Sequence, residues 1–526
     1  ASGQNHSDNT SVGFNSLKAI TTGGNNAAIG SGSLLSNTTG AANIAIGKDS
    51  LYYNTTQSNN IGIGVFALAS IAAGANNVAI GTSAMTSSGT AADNDASNNT
   101  AIGYNALREV TDGDNNVAIG YEAMKTNTTG TKNIAIGYGA MNDTDAGSNS
   151  LGSTENVFIG YDAGGGTWAD TATINCVAIG NYAMDSALDG ANNSVAIGYG
   201  ALGSVTTADS SIAIGKESLH SLTTGEGNIG IGQHAMHVHT TGTNNIAIGR
   251  YAMDDTNSGG NALSSQDNIF IGLNAGGGTW GNTGASNYNV GIGNGVLDAG
   301  LDGANSNTAM GYQALTNLTT GDENVAIGIY AGYTMATTSD CVLIGRNAGY
   351  NINNADADGT IAIGYKAGEA ITSAQQNTII GFEAGNDLTE GDYNVLLGYR
   401  ALDTADGGES NNIAIGTNVM GHINNDASDH NVAIGDSALL GGTGTVTKNV
   451  AIGNNAMGTG VGDNNQTGTV AIGYDALKVL TTGAENVAIG ENAARALTTG
   501  GQNVALGCKA LQEHLTGVRN VAIGAY

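Results

Sequence analysis

The chain lacks proline and is poor in aromatic and charged residues. Among its 526 residues there is no Pro, aromatic residues make up 5% and charged residues 11%, while glycine occurs 84 times. This composition is unusual for an enzyme domain and favours one architecture repeated many times. Only 15 Lys and Arg residues face 44 Asp and Glu residues, so the net charge is −29. Because a nucleic-acid groove needs clustered cations, the sequence predicts no nucleic-acid partner.

Long apolar runs and paired cysteines are also missing. No stretch of about 18 apolar residues occurs, so no membrane-spanning segment is expected, and the polar start "ASGQNHSDNT" is not typical of a signal peptide. Cys176, Cys341 and Cys508 stand far apart, which predicts neither a disulfide framework nor a zinc site. The first two directly precede the valine of "NCVAIG" and "DCVLIG" and are expected to be small buried residues.

One phrase, "NVAIG" with small variations, recurs along the chain. Its closing glycine, called the marker glycine below, is found 28 times, and "SVGFNSL" around Gly13 looks like a further, worn copy. Fifteen of the 27 intervals are 17 residues long and the rest are longer. A fixed minimum with variable insertions is typical of one solenoid coil closed by a loop. The marker glycines predicted to be structural include Gly30, Gly47, Gly120, Gly137, Gly249 and Gly490.

The phrase itself is β-branched and alternating, as in a short strand. The sequence therefore predicts an all-β parallel β-solenoid, or β-roll, of about 28 coils. It would run as one continuous solenoid over residues 1–526, with residues 1–10 as a polar lead-in. Eight repeats contain "TTG", whose glycine lies seven residues before the next marker, and we expect a tight turn with positive φ there.

Side-chain sizes suggest how each coil packs. The middle strand residue is usually Ala, and the residue six positions later is usually Leu or Met. At Phe158 and Phe270, where the middle residue is large, the residue six positions later is a glycine, Gly164 or Gly276. Because a large side chain at one position goes with a glycine at the other, the side chains at the two positions are predicted to share one packed space. The alternating Val and Ile then point the other way. Since a thin coil cannot easily bury both sides, we expect another chain to cover one of them.

Aromatic residues give the candidates for surface recognition. A six-coil block is duplicated around 156–268 and 268–380, and each copy carries one tryptophan, Trp168 or Trp280. An indole exposed on a loop could stack on a sugar ring, whereas the alternative is packing against the solenoid. Tyrosine follows the marker glycine in three consecutive coils, which predicts a stacked ladder or a ligand-binding stripe. These residues are Tyr104, Tyr121 and Tyr138.

Residues that could catalyse a reaction or bind a metal are scattered along the sequence. Acids two or three residues apart could bind calcium, although solvated turns are the alternative, and none has the EF-hand spacing. These pairs are Asp93 with Asp95, Asp356 with Asp358, and Asp426 with Asp429. His234, His237 and His239 form the one histidine cluster, and metal binding by them stays open. No nucleophile, base and orienting acid recur together. We therefore expect no enzyme activity, no cofactor and no resident metal.

The phrases "NNVAIG" and "NSVAIG" resemble the head repeats of trimeric autotransporter adhesins, and "TTG-x-N-N-x-A-I-G-x-x-A-L" resembles repeats of phage and bacterial tail-fibre-like proteins. This resemblance covers nearly the whole chain. It implies a parallel β-roll, often a homotrimer, on a cell surface or virion, with adhesion or receptor binding as the usual role. The chain differs in its 17-residue minimum and in lacking a neck, a coiled-coil stalk and a membrane anchor.

The expected function is thus a non-enzymatic extracellular fibre, either an adhesin or a fibre shaft. The last residues, "NVAIGAY", stop within a repeat and no polar cap is visible, so subunits are expected to stack head to tail or to belong to a longer fibre. A tail-fibre protein that binds cell-surface glycans is the alternative. Ice binding through the paired threonines is a further one.

Overall fold

The computed structural model describes residues 8–87, 94–142, 152–169, 171–256, 262–405, 407–458 and 465–525. The chain is an all-β parallel β-solenoid of about 29 coils, as predicted, and the described residues contain no α-helix. It divides into two compact units: unit 1 comprises residues 1–255 and 263–266, and unit 2 comprises 256–262 and 267–526. Continuity over the whole chain stays a prediction.

Unit 1 contains one three-residue strand per coil. The degenerate repeat around Gly13 supplies the first strand, so this repeat also forms a coil. The strands are β1 Thr10–Val12, β2 Ala27–Ile29, β3 Ile44–Ile46, β4 Ile61–Ile63, β5 Val78–Ile80, β6 Thr100–Ile102, β7 Val117–Ile119, β8 Ile134–Ile136, β9 Val157–Ile159, β10 Val177–Ile179, β11 Val195–Ile197, β12 Ile212–Ile214, β13 Ile229–Ile231 and β14 Ile246–Ile248.

Unit 2 continues the same pattern and adds a second, two-stranded sheet of β25 with β27. The 3₁₀ helix Ala355–Ala357 belongs to unit 2, and a second one, Ala262–Ser264, falls where the sequence passes from one unit to the other. The strands are β15 Ile269–Ile271, β16 Val290–Ile292, β17 Thr308–Met310, β18 Val325–Ile327, β19 Val342–Ile344, β20 Ile361–Ile363, β21 Thr378–Ile380, β22 Val395–Leu397, β23 Ile413–Ile415, β24 Val432–Ile434, β25 Val446–Thr447, β26 Val450–Ile452, β27 Gln466–Thr467, β28 Val470–Ile472, β29 Val487–Ile489, β30 Val504–Leu506 and β31 Val521–Ile523.

Neighbouring strands pair in parallel with identical positions aligned, as where Ala118 of β7 faces Ala135 of β8. Because strand side chains alternate, the middle residue points inward and is buried, and the first and third residues point outward. The predicted shared space is confirmed. A Cβ on Gly164 would lie 2.6 Å from the Phe158 ring, and one on Gly276 would lie 2.8 Å from Phe270.

The marker glycines are structural, as predicted. All six named above have φ between 129° and 141°, a region that only glycine adopts readily. A Cβ on Gly120 would also collide with the carbonyl oxygen of Gly137 in the next coil.

The prediction of positive φ for the "TTG" glycines is wrong. Of these eight glycines only Gly483 has φ in the positive region. The others are needed because the backbones of adjacent coils approach closely there: a Cβ on Gly225 would collide with the carbonyl oxygen of Gly242. The fixed offset thus reflects contact between coils rather than a left-handed turn.

A buried asparagine ladder, which the sequence reading missed, joins the coils beside the strands. Asn116 precedes β7; its Oδ1 accepts from the Asn133 amide at 2.9 Å, and its Nδ2 donates to the Gly130 carbonyl at 2.8 Å. The signal was the invariant-looking Asn of the repeated phrase. Cys176 stands at the same position, fully buried as predicted, and its thiol donates to the Ala191 carbonyl. Burial raises the pKa of this thiol to about 11, so it stays a donor.

Candidate functional surfaces

The outward strand positions form an apolar surface, called the outer sheet face. It consists of the first and third residues of each strand, mostly Val and Ile. Ile179, Ile197 and Ile214 in three adjacent coils are 38%, 37% and 36% exposed, whereas Ala178 between the outward positions of β10 is fully buried. This geometry confirms that Val and Ile point away from the core.

The predicted tyrosine ladder is present on the surface of unit 1. Tyr104, Tyr121 and Tyr138 stack with ring centroids 5.2 and 4.9 Å apart, and Tyr161 extends the stack at 5.1 Å. The planes are inclined by only 6° to 16°, so the ring faces are turned toward each other and the edges toward solvent. A sugar ring stacks on an aromatic face. The ladder geometry therefore favours a structural role, and its role as a ligand-binding stripe stays a prediction.

Of the two alternatives for the tryptophans, exposure on a loop is wrong and packing against the solenoid is confirmed. Trp168 and Trp280 are fully buried. Trp168 packs against Phe158 with ring centroids 5.6 Å apart, and its indole nitrogen donates to the Gly164 carbonyl at 3.0 Å. Trp280 repeats this packing in the duplicated block.

The physical reason lies in the neighbouring glycines. Because a glycine stands where most coils have Leu or Met, space is left inside the coil. The apolar indole fills this space more favourably than water would. The signal was available, since a tryptophan follows each Phe–Gly pair at the same distance. Neither indole can stack on a sugar.

The acidic loop residues cap backbone groups of the preceding coil. Asp358 accepts from the Ser339 amide at 2.7 Å, and Asp429 accepts from the Ser410 amide at 2.8 Å. Within the described ranges, none of the predicted pairs joins a group of three potential metal ligands. Asp93 lies outside the described residues. Calcium binding by these acids stays an untested alternative to the expected absence of a metal, and Asp358 and Asp429 bind backbone amides of the preceding coil.

In the paired threonines, the basis of the ice-binding alternative, the first hydroxyl bonds within the solenoid. The hydroxyls of Thr38 and Thr223 donate to the carbonyls of Thr55 and Thr240 in the next coil, each at 3.1 Å. The second threonine of each of these pairs, Thr39 or Thr224, is exposed, and ice binding stays an untested alternative.

Two of the three predicted histidines, His234 and His237, lie next to each other, and the third lies apart from them. His239 is fully buried, its pKa is lowered to about 4 by burial, and its Nε2 lies 3.1 Å from Nδ2 of Asn245. Glu217 takes its place: its Oε2 lies 3.3 Å from Nε2 of His234 and 3.8 Å from Nε2 of His237. Sequence reading missed Glu217 because it stands seventeen residues before His234, one coil away.

Comparison with known proteins finds no family model that matches the chain and no curated protein with a matching sequence. Within the described part of the chain, no helix is long and apolar enough to cross a membrane. Functional inference therefore rests on the surfaces described above.

Proposed function

We propose that the chain is a non-enzymatic structural component of an extracellular fibre, in which a second copy of the same chain covers the outer sheet face. The observation behind this proposal is the row of Val and Ile side chains that each coil directs outward. The repeat resemblance to adhesin and tail-fibre proteins supports the fibre role and the extracellular location.

The size of this face supports association. Two aliphatic side chains at about one-third exposure present on the order of 100 Å² per coil, so ten coils present on the order of 1,000 Å². The largest apolar patch on a typical monomer is about 300–600 Å². A stable interface takes about 800 Å² from each partner. One unit thus carries enough apolar surface for a stable interface.

The spacing of the face favours a second copy as its partner. Val and Ile recur along the sheet every 4.8 Å or so, the distance between neighbouring strands. A partner that interdigitates with such rows over many coils needs the same spacing, and an identical solenoid has it. The net charge of −29 opposes close approach of two copies. Association should therefore strengthen as salt screens this repulsion.

Sedimentation velocity of the purified chain and of a triple variant tests the proposal. Ile179→Lys, Ile197→Lys and Ile214→Lys place three cations on the face, where desolvating them on association is costly. The native chain should sediment as an oligomer that grows with salt, and the variant should shift strongly toward monomer.

A charge-matched control carries lysines in the same three coils, at the exposed position one residue before the buried asparagine or its equivalent. Lys132 and Lys448 occupy this position naturally. Its substitutions are Asn175→Lys, Asn193→Lys and Ser210→Lys. It should sediment like the native chain. A native chain that stays monomeric at every salt concentration, or a face variant that associates as well as the control, would refute the proposal.

A further inference from the structure

Two side-chain ladders run next to each other in unit 1. Because these coils are 17 residues long, residues at the same coil position stack, and the His234 amide donates to the Lys216 carbonyl of the preceding coil at 3.0 Å. The second and fifth positions after the marker glycine lie side by side. The second position carries Glu217, His234 and Tyr251, and the fifth carries His220, His237 and Asp254.

The centre of this grid has the spacing of a metal site. Glu217, His234 and His237 each offer one ligand atom, and these three atoms all lie within 4.8 Å of one another. A tetrahedral zinc ion with bonds of about 2.0–2.1 Å holds its ligand atoms about 3.4 Å apart. The 3.3 and 3.8 Å separations from Glu217 therefore need adjustments of only a few tenths of an ångström.

We propose that Glu217, His234 and His237 bind one divalent transition-metal ion of the zinc class, with water completing its coordination. Two imidazoles and a carboxylate are ligands that such ions favour over calcium or magnesium. The three side chains are between one-fifth and one-third exposed, so a hydrated ion can reach them. Lys216 pairs with Oε1 of Glu217 at 3.6 Å, which leaves Oε2 directed at the histidines.

A second observation supports the site. Oδ1 of Asp254 is buried without a hydrogen-bond partner, and it lies 3.9 Å from Nδ1 of His237. A histidine that binds metal through one nitrogen commonly donates the other N–H to a carboxylate. When Nε2 of His237 holds the ion, Nδ1 carries the proton and faces Asp254. A shift of about 1 Å would then let this N–H donate to the unsatisfied carboxylate oxygen.

The ion would join two coils. Glu217 lies in the coil of β12 and both histidines lie in the coil of β13. Binding should therefore hold these neighbours together and raise the thermal midpoint of unfolding.

Calorimetric titration of the chelator-treated full chain with ZnCl₂ tests the site. The native chain should bind zinc with a micromolar or tighter Kd. His234→Asn should weaken binding at least tenfold without loss of fold, because Asn455 and Asn492 occupy this coil position elsewhere. Glu217→Gln should also weaken it. The matched control is His430→Asn, at an exposed position that Asn411 occupies one coil earlier. This variant should bind zinc like the native chain.

Cobalt absorption identifies the ligands independently. Co²⁺ should give the intense visible bands of a four-coordinate site in the native chain, and His234→Asn should abolish them. Native-like zinc affinity in both His234→Asn and Glu217→Gln would overturn the proposal. A thiolate charge-transfer band would overturn it as well, because it would place the ion on Cys508.

Discussion

At the scale of single residues, the coils depend on the marker glycine and, in most repeats, on a buried asparagine. The marker glycine has a φ that other residues avoid and leaves room for the next coil's carbonyl, while the buried asparagine connects three successive coils. The glycine could be predicted from the repeat alone. The asparagine could not be assigned, because a polar residue beside a strand is equally consistent with a solvated turn until the backbone groups it faces are known.

Replacing a ladder asparagine should show this connection. In Asn116→Ala the Asn133 amide and the Gly130 carbonyl lose their buried partner, which costs about 3 kcal/mol. Asn116→Ser should cost less, since Ser194 accepts from the next coil's amide and donates to a carbonyl at longer distances, 3.2 and 3.3 Å. Urea unfolding followed by circular dichroism measures both. Equal stability of Asn116→Ala and the native chain would contradict the role of the ladder.

The carboxyl of Asp298 should make stability depend on pH. Burial raises its pKa from 3.8 to about 6, so between these values the folded chain holds a proton that the unfolded chain releases. Stability contributed by the protonated form is therefore lost as pH rises from about 4 to 6. Asp298→Asn removes this loss and should stabilise the chain by about 1 kcal/mol at pH 8, after allowance for partial solvent screening, with little difference at pH 3.5.

Unfolding midpoints at both pH values test the effect. Asp340→Asn, at an exposed position where other coils have Asn, is the control for loss of a surface carboxylate and should not reproduce the stabilisation at pH 8. A stabilisation of Asp298→Asn that is the same at pH 3.5 and pH 8 would contradict the account.

At the scale of elements, the inward side of the coil is filled by complementary volumes. The sequence predicted the exchange of a large middle residue for a glycine six positions on, and the contacts of Phe158 with Gly164 confirm it. It left open whether Trp168 packs against the solenoid or lies on an exposed loop, since a tryptophan after a glycine run is consistent with both. Only the closed path of the backbone places the indole inside.

Trp168→Ala should therefore lower stability rather than recognition. Deleting the buried indole leaves a cavity beside Phe158, and we expect a loss of about 3–5 kcal/mol. Tyr161→Ala, at a position 42% exposed, is the control and should cost about 1 kcal/mol or less. Chemical denaturation compares the two. Similar small losses in both variants would contradict the buried placement of Trp168.

At the scale of the whole molecule, repetition turns one outward Val–Ile pair into a row of such pairs within each unit. The 17-residue repeat predicted the fold class and the direction of the side chains, because period and strand alternation are local properties. The metal-ligand group escaped prediction, since Glu217 and His234 meet only through stacking of coils. Local constraints build the solenoid, and its outer sheet face is where we expect other copies to attach.

Electron cryomicroscopy of the purified full chain, with averaging of the particles, would show directly whether copies associate through the outer sheet face. We expect assemblies in which the outer sheet faces of two or more copies lie against each other, with Val and Ile buried between them. Separate solenoids, or assemblies in which this face remains open to solvent, would contradict it.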